Sequence, residues 1–134
     1  LIDIKNLVYT PIAQALRSQF NGIDVKSDYV RIPSKLPHVS IVESDNYTTT
    51  TGLDSGSYEK YSTLMYEVNV YSNKTSGKEA ECRSIMAVID AMMFAFNFTR
   101  LSMTPVPNYE DATIYRLTAR YRVVTDGENL YRIY

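Results

Sequence analysis

Two long stretches of strict alternation, separated by a helical stripe, constrain this chain more than anything else in it. From Tyr61 to Tyr71, Leu64, Tyr66, Val68 and Val70 share one face, and Thr63, Met65, Glu67 and Asn69 share the other. From Thr113 to Val124, Tyr115, Leu117, Ala119, Tyr121 and Val123 fall on one side, with Arg116, Thr118, Arg120 and Arg122 opposite them. A period of two belongs to strands with one covered face. Between them Cys82, Ile85, Met86, Ile89, Met92, Met93 and Phe96 recur every three or four residues, the spacing of a helix able to cover such a face. Ser76-Gly77-Lys78-Glu79 has the form of a capping box, which predicts Ser76 as the cap of the first turn with Glu79 reaching back. The helix is expected to end near Asn97.

The flanking segments complete the outline. Ile4, Leu7, Val8, Ile12, Ala15 and Leu16 are spaced for a helix, but Pro11 removes a backbone donor and disfavours a helical residue before it. Either the helix is kinked, or Thr10 caps a helix running from Pro11 to Phe20; the second is expected, with Asn21-Gly22 as the stop. Strands are predicted at Ile23 to Ile32, His38 to Glu43 and Leu101 to Val106. Asp45 to Ser57, rich in Thr, Ser, Gly and Asp, reads as an exposed excursion or hairpin. The expected fold is α+β: a mixed, mainly antiparallel sheet with two main helices packed on one face and a long exposed loop or hairpin. Residues 1–134 form one expected domain, with a C-terminal tail over 125–134.

The inventory of reactive groups is sparse. The chain has one His, one Cys, no Trp and twelve Tyr, with 22% charged residues and a formal net charge of -1. That charge argues against bulk attraction to polyanions. His38 lacks a second His or a Cys pair and reads as structural; Cys82 lies on the apolar stripe and reads as a buried thiol. Ser76-Gly77-Lys78 lacks the upstream glycine and the Ser or Thr of a phosphate loop. Asp24, Asp28, Glu110 and Asp111 read as solvated surface. The Asn-x-Thr triplets at Asn46, Asn73 and Asn97 carry no support for glycosylation. Ile85 to Phe98, the most apolar stretch, is too short to span a membrane. No catalysis, cofactor or metal is expected. Because the tyrosines and arginines of the last long strand fall on opposite faces, they cannot form one basic-aromatic platform for nucleic acid, and a subunit interface is the better use for the arginines.

One family fits this pattern. Tyr66-Glu67-Val68-Asn69-Val70-Tyr71-Ser72-Asn73, the helix Glu79 to Phe96 and Phe98-Thr99-Arg100 resemble tail terminator (neck or tail completion) proteins of long-tailed bacteriophages. So do Pro105-Val106-Pro107-Asn108, Ala112-Thr113-Ile114-Tyr115-Arg116 and Arg120-Tyr121. Upstream, Leu36-Pro37-His38-Val39-Ser40-Ile41 is similar to that family's proline-led strand before a long loop. The resemblance implies a virion protein, assembled in the bacterial cytoplasm as a homohexameric ring on the tail tube. Its implied partners are the tail tube protein and the head–tail connector, with DNA only passing through the lumen and no membrane involved. The interface residues expected on this basis are Tyr71, Arg116, Arg120 and Arg122 on the sheet, Thr49, Thr50 and Leu53 in the 45–57 excursion, and Tyr131 in the tail. A head-completion or connector role in the same neck, or a small nucleic-acid-binding α+β domain, are the alternatives.

Overall fold

The computed structural model describes residues 1–30, 33–48, 61–107 and 111–132. The order of elements is α1 (Lys5–Gln19), β1 (Asp24–Lys26), β2 (His38–Thr48), β3 (Ser62–Ser72), α2 (Lys78–Ala95), β4 (Thr99–Pro105), β5 (Tyr115–Thr125) and β6 (Leu130–Tyr131). The strands form one sheet in the order β1-β2-β3-β5-β4, with β6 added to the end of β5. β1 runs parallel to β2, and every other pair is antiparallel. This is the expected α+β arrangement, with both helices contributing to the core on one side of the sheet.

The alternation of the two long strands sets that core. β3 and β5 pair Leu64 with Val123, Tyr66 with Tyr121, Val68 with Ala119 and Val70 with Leu117. All of these are buried, and Cys82, Ile85, Met86, Ile89 and Met93 of α2 pack in the same cluster. A one-residue slip would turn the arginines of β5 inward, so burial fixes the register.

α1 departs from expectation. It is a single helix from Lys5 with Pro11 inside it, rather than a helix that starts at Pro11. Ile4, Val8, Ile12 and Leu16, spaced by four across the proline, are each no more than 1% exposed. Burying each is worth about 1.5–3 kcal/mol, which together outweighs the roughly 3 kcal/mol that an interior proline costs. The carbonyl that loses its donor belongs to Leu7, on the exposed side of the helix.

The start of α2 also differs. Gly77, not Ser76, is the N-cap, with φ of 86° and no side-chain cap bond. A left-handed residue suits glycine, and it turns the chain one position later than the capping-box pattern implies. Glu79 pairs with Arg83 at 3.4 Å instead of reaching back. Glu81 accepts from Ser72 Oγ at 2.7 Å, tying the helix start to the end of β3.

β2 is longer than predicted, so Asp45 to Thr48 of the supposed excursion are strand, paired with Ser62 to Met65 across a bulge after Glu43. The remainder of the excursion, with Thr49, Thr50 and Leu53, lies outside the described residues.

Cys82 is fully buried, with Sγ 3.6 Å from the Val70 carbonyl and 3.7 Å from that of Tyr115. Burial, aided by Glu81, pushes its thiol up to about 12. Ionisation is disfavoured in the fold, so this group's contribution to stability is intact below about pH 9 and is lost as pH rises through about 12. A thiol-specific reagent at pH 8 should modify the native chain at least roughly a hundredfold more slowly than the urea-unfolded chain. Equal rates would contradict the assignment of Cys82 as inert core.

Candidate interaction surface on the outer face of the sheet

The face turned away from the helices is polar and internally braced. Its middle is Asn69, which is fully buried. Asn69 Oδ1 accepts from Thr118 Oγ1 at 2.7 Å and from Arg116 Nε at 3.0 Å, while its amide donates to Glu67 at 3.3 Å. Glu67 in turn pairs with Arg120 at 3.2 Å. The register places Asn69 opposite Thr118 and Glu67 opposite Arg120, so these contacts follow from strand pairing itself.

At one end of this face, the segment after β1 crosses over the sheet. Tyr71 donates its hydroxyl to the Val30 carbonyl at 3.5 Å, and Arg116 lies between the rings of Tyr29 and Tyr71, 5.8 and 5.7 Å from their centroids. Tyr71 is only 1% exposed. It therefore cannot be the exposed anchor that the sequence suggested. Instead it is the floor on which Arg116 rests. Burial raises its phenol above the ordinary range, with Arg116 pulling the other way.

His38 is buried beside Tyr71, ring centroids 5.8 Å apart, and its Nδ1 lies 2.9 Å from Asp24 Oδ2. Asp24 is therefore not free surface: parallel pairing sets it directly beside His38. Among the described residues, His38 Nε2 and Ser40 Oγ are buried without hydrogen-bond partners.

Arg122 differs from its neighbours on β5. It stands opposite Met65 of β3 and Thr99 of β4, neither of which carries charge. Its Nε is buried, and among the described residues it has no hydrogen-bond partner and no ion pair. Among the described arginines, Arg17, Arg83, Arg100, Arg116, Arg120 and Arg132 all have partners within the chain. A guanidinium is built for bidentate capture of a carboxylate, and among the described residues this one meets none.

Compared with protein-family models and with curated protein sequences, the chain matches none of them.

Beyond Arg122 lies β4, the outermost strand of the sheet at this edge, with Arg100, Leu101, Ser102, Thr104 and Pro105 all exposed. A bulge between Arg100 and Ser102 and a terminal proline are features that limit indiscriminate strand addition.

The C-terminal tail folds back on its own chain. β6 pairs with β5, Arg132 stacks over Phe94 at 4.1 Å and donates to its carbonyl at 2.7 Å. Tyr131 remains 41% exposed, with its hydroxyl donating to Asp126 at 2.9 Å. Backbone amides of Asn129 and Glu128, with that hydroxyl, hold Asp126 down to about 2. Of the sequence-predicted residues, the structure gathers Tyr71, Arg116, Arg120 and Arg122 on one face and sets Tyr131 apart at the end of the sheet. Sequence reasoning missed Asn69, whose importance is visible only once the register is known.

Among the described residues no cluster of His, Cys, Asp or Glu could hold a metal ion, and no helix is long and apolar enough to cross a membrane.

Proposed function

We propose that this chain is a bacteriophage tail terminator: a subunit that assembles into a ring, expected to be a hexamer, at the top of the tail tube. The ring ends tube polymerisation and offers its far side to the head–tail connector, and DNA passes through its lumen. Two lines support this reading. The ordered pattern of strand, helix and strand is the one that resembles that family. The observation that carries it is Arg122, a cation on the polar sheet face whose buried Nε finds no partner among the described residues. Unsatisfied donors on a stiff face are what a neighbouring subunit completes. A ring needs a heterologous contact, in which such a patch meets a different patch on the next copy.

A nucleic-acid-binding module is less well supported. Arg120 is paired with Glu67 and Arg116 with Asn69, so two of the three arginines on β5 are already engaged. Near-neutral net charge suits a lumen through which DNA must slide.

Removing the gene from the phage that encodes the chain provides the test. Tails of uncontrolled length, or heads and tails left unjoined, are the expected phenotype. Normal virions from that deletion would overturn the reading.

A further inference from the structure

The sheet carries groups of opposite charge on its two sides. On the helix side, a cavity of about 260 Å³ opens where the start of α1 meets β2 and β3. Asp3, Asp28 and Glu43 line it together with Tyr9, Ile41 and Tyr66. Tyr66 is 3% exposed, yet its hydroxyl has no hydrogen-bond partner among the described residues. Partial burial pushes the Glu43 carboxyl up and Asp3 adds to this, with only a hydrogen bond from Asn46 opposing them. Burial, with Glu43 and then Asp3, raises the Tyr66 phenol as well. Lys5, also in the lining, lies over the Tyr9 ring at 5.6 Å, and its backbone amide donates to Asp3 Oδ1 at 3.0 Å.

These properties describe a receptor for one cation. The volume falls below the roughly 300–1,000 Å³ of pockets for drug-sized ligands, but suits the head of a single side chain. Carboxylates supply charge, Tyr66 offers a free acceptor, and Tyr9 presents an aromatic face of the kind that guanidinium groups favour.

The complementary group lies on the opposite side of the same sheet. Glu43, Tyr66 and Tyr121 form one row across β2, β3 and β5, and Arg122 stands in the next row facing the other way. Arg122 and the cavity therefore cannot meet within one chain. We propose that the cavity lined by Asp3, Glu43 and Tyr66 is a socket for the guanidinium group of Arg122 of a second copy of this chain. This deepens the ring reading and rests on it: each copy contributes a socket on one side and an arginine on the other. Contact of this kind leaves a free socket and a free arginine at the ends of any open assembly, and it propagates until it closes.

Sedimentation velocity over roughly a hundredfold range of concentration tests this with the full chain. Wild type should associate. Arg122→Glu and Glu43→Arg should each weaken association at least about tenfold, the scale of a close charge pair. The double variant, which swaps the charges, should recover to within about threefold of wild type. Glu43→Gln supplies a readout that a merely structural role would not give: it should weaken association while the monomer unfolds no more easily than wild type. A wild-type chain that stays monomeric overturns the socket, as do single variants that associate normally or a double variant as weak as the singles. Loss of the socket alone leaves tail-length control by this chain untouched, whereas normal virions in the gene deletion remove the reading beneath it.

Discussion

Replacing Phe98 by alanine is expected to lower the unfolding free energy by roughly 3–5 kcal/mol, the largest loss predicted for any single position. Phe98 is 2% exposed and joins α2 to β4. Its ring stands edge-on to Tyr66 at 5.5 Å and to Tyr121 at 6.4 Å, so it links the core faces of β3 and β5. Its amide donates to the Met93 carbonyl at 3.0 Å, which fixes the turn at Asn97, where φ is 69°. Alanine would keep that backbone bond and remove the ring, leaving a cavity between two tyrosines. Urea unfolding should show the midpoint falling sharply at an unchanged slope. A loss below about 1 kcal/mol would mean that the aromatic cluster does not support the sheet in this way.

Asn69→Ala is expected to cost roughly 2–3 kcal/mol for a different reason. The substitution strands Thr118 Oγ1 and Arg116 Nε, which both donate to Asn69 Oδ1. Leaving buried donors unpaired costs more than the bonds themselves contribute. Asn69→Asp keeps an acceptor in place and should recover a good part of the loss, although it adds charge beside Glu67. Asn69→Ala should also release Arg116 from its position over Tyr71, so the outer face loses definition along with stability. If the alanine and aspartate variants unfold alike, hydrogen bonding is not what makes this position matter.

Much of the architecture is legible in the residues. The alternation from Tyr61 to Tyr71 and from Thr113 to Val124 locates β3 and β5 to within a residue or two. It also separates the tyrosine face from the arginine face, because side chains in a strand can point only two ways. The three-to-four spacing of Cys82, Ile85, Met86, Ile89, Met92, Met93 and Phe96 locates the inner side of α2: five of the seven are buried, and Met92 and Phe96 are half-buried against the core.

What could not be read depends on contacts between distant segments. Pro11 argues locally against a helix, and only the burial of Ile4 and Val8 against the sheet overrides it. The Asp24–His38 pair joins residues of two parallel strands and leaves no periodic trace in the sequence. Tyr71 alternates onto the polar face as expected, but is buried by the segment that follows β1, whose path nothing local dictates. Asn69 is ordinary as a strand residue and becomes a hub only when Arg116 and Thr118 are placed beside it. The cavity beneath α1 gathers Asp3, Asp28 and Glu43 from three separate segments, so no spacing motif announces it. The arginine strand was visible from the start, while the difference between its members was not. Arg116 and Arg120 are engaged within the chain, whereas the buried Nε of Arg122 has no hydrogen-bond partner among the described residues.

The most direct test of the ring reading is electron microscopy of polymerising tail tubes to which the purified chain has been added. If the chain terminates tails, a ring of density should cap one end of each tube and further elongation should stop. Tubes that keep growing with bare ends in the presence of excess chain would contradict it.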